Sequence, residues 1–180
     1  MDEFGLNYLK ISLQLTKGLK RTIDTIVSQI NEQEFFTQIG AESLSIALLI
    51  KHLSGNIKSR WTNFFTEDGE KPWRNRDYEF IIEEQDTMPN LLDRWEAVWQ
   101  LFFNVIEGMT PDDLNRTIQI RWKDYSVMET IFRHISHVAQ HVGQITYLAK
   151  HHKQNKWQTL TIPIGKSDEF NEKARNDSLG

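Results

Sequence analysis

Apolar residues recur at helical spacing in four stretches of the chain. Leu15, Leu19, Ile23, Ile26 and Ile30 step by four, four, three and four, which predicts one face of a first helix over residues 4–30. Ile46, Leu49, Leu53, Ile57 and Phe64 share a face of a second helix over 41–65, with Trp61 at its edge and Gly40 as a break before it. Leu91, Trp95, Val98, Phe102, Val105 and Met109 alternate steps of four and three, the cleanest amphipathic pattern in the chain. They predict a third helix over 89–109, with Pro89 in its first turn. Ser126 with Glu129 three residues on forms a capping box that opens a fourth helix, over 126–152.

The intervening segments read differently. Residues 66–88 combine turn formers, mixed charge and aromatics, and predict a long loop between the second and third helices. Thr110-Pro111-Asp112-Asp113 predicts one short helical turn, and the alternation from Thr117 to Trp122 predicts a short extended segment. From Asn155 no helical period survives. Trp157, Leu160, Ile162 and Ile164 alternate as an extended arm that packs on the body, followed by a frayed polar tail from Lys166. The sum is an all-α chain, a four-helix bundle in a single domain over 1–180.

Composition narrows the function. With 21 Lys+Arg against 25 Asp+Glu the net charge is -4, which argues against nucleic-acid and anionic-membrane partners. There is no cysteine, so disulfides, thiolate metal sites and a cysteine nucleophile are excluded. Asp2 and Glu3 follow Met1 where a secretory signal would be basic, and the apolar run Ile46 to Ile50 is too short to span a bilayer. A soluble, cytoplasmic protein is the expectation.

The histidines carry the candidate chemistry. His137 and His141, four apart, put two imidazoles on one helix face, as a metal clip requires. His134 lies one turn earlier, and His52 is the one histidine on another predicted helix. His52, His137 and His141 all sit at the flank of an apolar stripe, where two packed helices would bring them together. Ser45 and Asn56 share the flank of the second helix and Gln144 that of the fourth, positions from which to orient ligands or water. The competing reading makes each histidine a hydrogen-bonded core residue. Val138 stands where a zinc protease would carry glutamate, and His151 and His152 suit the C-terminal end of the helix dipole.

The segments H-V-A-Q-H-V-G-Q, His137 to Gln144, and I-K-H-L, Ile50 to Leu53, resemble the signatures of the DinB/YfiT-like four-helix metalloprotein superfamily. Gly69 to Asp77 and Ile162 to Phe170 look like an uncharacterised bacterial branch of it. The resemblance implies an up-down-down-up bundle, often dimeric, with a divalent metal, zinc or nickel, on His52, His137 and His141. His134 is outside the pattern. It further implies a thiol-dependent S-transferase or a hydrolase acting on a small molecule, with an external low-molecular-weight thiol as a possible co-reactant. The alternative is a non-catalytic metal-binding or stress-related protein of the same fold. Arg74 and Arg76 in the long loop are candidates to hold a carboxylate of such a cofactor, or else form surface ion pairs with Glu70, Asp77 or Glu79. Trp61 and Trp73 either line the pocket mouth or anchor the loop, and Glu79, Glu83 and Glu84 offer no basis for choosing a general base.

Overall fold

A computed structural model describes residues 2–177. It is mostly helical. The described α-helices and strands are α1 (Glu3–Val27), α2 (Glu32–Phe36), α3 (Ile46–Trp61), α4 (Met88–Glu107), β1 (Thr117–Ile120), β2 (Lys123–Ser126), α5 (Val127–Lys153) and α6 (Ser167–Asp177), with 3-10 turns at Asp77–Phe80, Pro111–Asn115 and Gln154–Lys156. The four long helices pack in a ring of neighbours: α1 against α4, α4 against α3, α3 against α5, and α5 against α1. Among the described residues no helix is long and apolar enough to cross a membrane.

Helix ends are set by their caps. Asp2, Ser45, Thr87 and Ser126 each accept a backbone N–H from the first turn of α1, α3, α4 and α5. The Ser45 cap starts α3 at Ile46, five residues later than the apolar pattern predicts, and Thr62 ends it at Trp61. The first helix is also shorter than predicted. It stops at Val27, and Asn31 with Glu34 forms a capping box for the short α2, which the apolar spacing hides.

The core includes Ile23, Leu49, Phe102 and Ile145, together with the fully buried Trp61, Trp95 and Trp99. Each fully buried aliphatic or Phe side chain contributes about 1.5–3 kcal/mol. The N-terminal half of α1 departs from the predicted face. Leu15 is 52% exposed, and the helix instead buries Gly5, Leu9, Ser12 and Thr16. Small polar residues let the neighbouring helix approach, and Thr16 satisfies its hydroxyl on the Ser12 carbonyl at 2.8 Å.

The predicted extended segment is one strand of a hairpin. β1 pairs antiparallel with β2, Ile120 opposite Lys123, across the two-residue turn Arg121-Trp122. Both turn residues have positive φ (54° and 60°), the conformation of a type I′ turn, which usually recruits Asn and Gly. Asp68 compensates by accepting both turn N–H groups at 2.8 Å. Gly69 N–H donates to the Gln119 carbonyl at 2.8 Å, so the long loop and the hairpin are joined. The loop is tied down elsewhere as well: buried Lys51 binds Asp86, Glu83 and the Ile81 carbonyl.

The C-terminal arm packs only as far as Leu160. Trp157 and Leu160 rest on the core, while Ile164 is fully exposed. Residues from Ser167 form α6 in place of a frayed tail. Asp168 and Glu169 in its first turn complement the helix dipole, and Lys166 pairs with Glu169.

We expect Asp68→Ala to lower stability by about 1–2 kcal/mol, because two turn N–H groups lose a charged acceptor. A urea midpoint equal to that of the wild type would contradict this.

Candidate metal centre

α3 and α5 bring His52, His137 and His141 together, and one ring nitrogen from each lies within 4.8 Å of the others. The contact atoms are the Nε2 nitrogens, 3.4 Å from His52 to His137 and 3.1 Å from His141 to His137. The outer nitrogens of two rings are fixed. His52 Nδ1 donates to Glu79 Oε2 at 2.8 Å, and His141 Nδ1 donates to Gln144 Oε1 at 2.6 Å. With the proton on Nδ1, each ring turns an Nε2 lone pair toward the cluster.

The donor set fits a divalent ion. Ligand nitrogens about 2.0–2.1 Å from a tetrahedral centre are about 3.3–3.4 Å apart, and cis octahedral positions about 3.0 Å apart. The two measured separations fall in this range. Burial first, then the neighbouring His141 and His52, pushes His137 down to about 4. Burial also lowers His141. Both rings are therefore neutral at pH 7, the form that ligates.

Glu79 is the residue that the sequence did not single out from Glu83 and Glu84. A 3-10 turn over Asp77–Phe80 carries it onto α3. Arg74 grips it with a fork, Nε to Oε1 at 2.8 Å and the second guanidinium nitrogen to Oε2 at 3.0 Å. Burial pushes the Glu79 carboxyl up, but the hydrogen bonds from His52 and Arg74 outweigh it and hold it below the ordinary range. Glu79 thus stays an anion facing His52. Gly55, one turn beyond His52 on α3, makes the room: a Cβ there would collide with Glu79 Oε1 and lie 2.7 Å from its Cδ. Phe80 stacks on His52 at 5.0 Å between centroids, and the Arg76 guanidinium lies 4.9 Å from the Phe80 ring.

His52 and His137 open onto a cavity of about 580 Å³, whose wall also includes Asn56, Ser136, Gln140 and the hairpin residue Tyr125. Arg74 and Arg76 line it too, but the Arg74 side chain is only 3% exposed, so its ion pairs with Glu79 and Glu70 are buried and not surface contacts. Ser45 caps α3 and has no part in the cluster.

The remaining candidates lie elsewhere. His134 is in the core, stacked on Phe102 at 4.4 Å and accepting the Trp61 indole N–H at 3.3 Å. Trp61 is accordingly a core residue, and Trp73 is exposed beside Lys58, so neither lines the cavity. His151 and His152 sit in the last turn of α5, away from the cluster.

The family model described as "Protein of unknown function (DUF1572)" matches residues 3–166. No curated protein matches the chain.

Glu79→Gln and Gly55→Ala each disturb the group that aims His52. We expect both to weaken zinc affinity by about 10–100-fold in a chelator competition, with helix content retained. Unchanged affinity in both would show that Glu79 does not orient the ring.

His134 supplies a pH dependence. Burial, then the charge of Arg60 and the neighbouring His137 ring, pushes it down to about 3. Unfolded chains take up this proton near pH 6.5, whereas the folded protein does not until about pH 3. Its contribution is therefore full above pH 6.5 and declines on acidification, by about 1.4 kcal/mol per pH unit. Urea midpoints of chelator-treated protein should fall from pH 7 to 5, and His134→Gln should reduce that slope. An identical slope in the variant would contradict the assignment.

Proposed function

The chain belongs to the DUF1572 family, and from its site we propose a divalent-metal-dependent enzyme with a three-histidine centre, of thiol-dependent S-transferase or hydrolase type. The observation that carries this reading is the convergence of three Nε2 atoms beside an open cavity, two of them aimed by hydrogen bonds to the far side of the ring. Structural zinc sites are closed by four protein ligands, whereas catalytic sites use three and leave one position free. Among the described residues the donor set stops at three. That favours catalysis over the non-catalytic metal-binding alternative.

We also read the four long helices as the up-down-down-up bundle of the DinB/YfiT-like superfamily. Support comes from the closed ring of neighbours and from the way both motif segments contribute to one cluster. The remaining parts of the reading are a cytoplasmic location, a small-molecule substrate, and a homodimer for which the exposed α1 residues Phe4, Ile11 and Leu15 offer an apolar stripe.

His52, His137 and His141 would hold the ion, with zinc and nickel the candidates. When bound, it supplies Lewis acidity that makes a water or a thiol a stronger acid. The chain's own residues set the conditions for this. The histidine rings are neutral ligands and leave the positive charge of the centre intact. Glu79 and Gln144 fix ring orientation. Asn56, Ser136 and Gln140 present polar groups to a substrate in the cavity. Glu79, held as an anion by Arg74 and His52, is an orienting group and not a proton donor. Since the chain has no cysteine, a reacting thiol would come from a small molecule.

Elemental analysis of untagged protein tests this reading. We expect about one zinc or nickel per chain in the wild type, lost in His52→Ala, His137→Ala and His141→Ala, and retained in His134→Gln. Wild-type protein that stays empty after incubation with either metal would overturn it.

A further inference from the structure

The cavity beside the histidine cluster has a charge that the metal reading leaves unused. Its wall carries Arg60, Arg74, Arg76, Arg121, Lys123 and Arg133, and among the described residues no aspartate or glutamate lines it. Arg74 and Arg121 are neutralised at its edge by Glu79 and Glu70. The other four form no ion pair among the described residues. Arg76 lies over Phe80, and Arg133 lies 4.9 Å from the Tyr125 ring centroid.

Arg60 is the most informative of these. Its Nε is closed to solvent and has no hydrogen-bond acceptor among the described residues. Burial, then the charges of Arg74, Arg133 and Arg121, pushes it down to about 10 against an opposing pull from Glu70, so it stays cationic at neutral pH. A buried, charged N–H without an acceptor in the protein is costly, and it calls for a partner from outside the chain, either water or a ligand. The chain as a whole carries a charge of -4, so this basic wall is a local feature and not a general surface excess.

The spacing shows how a ligand would lie. His52, Asn56 and Arg60 are four residues apart in succession on α3 and all line the cavity. Two turns of helix separate the histidine end from the arginine end by about 12 Å. On α5, Arg133 precedes His137 by one turn, and its charge acts on Arg60. The cavity, at about 580 Å³, is of small-molecule size.

We propose that the substrate is a small organic acid, its carboxylate or phosphate group anchored on Arg60 and Arg133 and its reacting bond turned toward His52 and His137. This deepens the reading of the cluster as a catalytic metal centre and rests on it. The anion pocket itself stands on Arg60 and Arg133 alone.

Inorganic phosphate is the probe, titrated calorimetrically into zinc-loaded wild type, Arg60→Gln and Arg133→Gln, and into the metal-free double variant His137→Ala/His141→Ala. Folding is checked by circular dichroism, and the exposed Arg133 keeps the test decisive if Arg60→Gln misfolds. We expect one saturable site, weakened about 10–100-fold in Arg60→Gln, weakened in Arg133→Gln, and preserved in the histidine variant. Absence of saturable binding, or binding indifferent to both arginine variants, overturns the proposal. Binding lost in the histidine variant but kept in both arginine variants also overturns it, by placing the anion on the metal and leaving the metal centre intact. Arginine-dependent binding by protein that holds no zinc supports the anion pocket while removing the metal centre. Displacement of phosphate by a short single-stranded oligonucleotide of higher affinity overturns the small acid in favour of nucleic acid.

Discussion

Three imidazole Nε2 atoms converge, His137 lying 3.4 Å from His52 and 3.1 Å from His141, and the scaffold must hold the rings in that crowded arrangement. Two hydrogen bonds on the outer nitrogens provide the hold. Gln144 comes from the same helix as His141, one turn away, and is available as soon as α5 forms. Glu79 comes from the long loop and depends on much of the surrounding structure. Arg74 must fork onto its carboxylate, Gly55 must leave the space, and Lys51 must fasten the loop through Glu83, Asp86 and the Ile81 carbonyl. The loop is thereby a structural arm of the site.

The same loop builds the far wall of the cavity. Asp68 holds the hairpin turn whose Arg121 and neighbours Lys123 and Tyr125 face the cleft opposite α3 and α5. Burial and charge then act together. The histidine end is kept neutral by desolvation, while the arginine end is cationic and short of acceptors. One cleft thus offers a neutral, lone-pair-rich pole and a positive pole about two helical turns apart.

Much of this was legible in the sequence, and the exceptions have physical reasons. The i, i+4 pair and the flank position of His52 pointed to three residues that the fold does bring together, because a helix converts spacing into direction without help from elsewhere. Glu79 was not separable from Glu83 and Glu84, since a loop has no period to tell which carboxylate turns inward. An unforced glycine inside a helix, Gly55, was the available clue. The hairpin was half seen: its turn lacks Asn-Gly, and the compensation comes from Asp68, some fifty residues away. The buried face of α1 was misread because Gly5, Ser12 and Thr16 are neither large nor apolar. The net charge of -4 concealed the basic cavity, because a sum over the chain carries no information about where charges gather.

The proposed metal centre consists of His52, His137 and His141, with no further protein ligand among the described residues and one position left free. X-ray absorption at the metal edge of the zinc-loaded protein tests it most directly. Three histidine rings bound through nitrogen at about 2.0–2.1 Å are expected, with one further light-atom ligand from solvent. Two or fewer imidazoles, or a fourth ligand that persists as a protein side chain when solvent is exchanged, would contradict it.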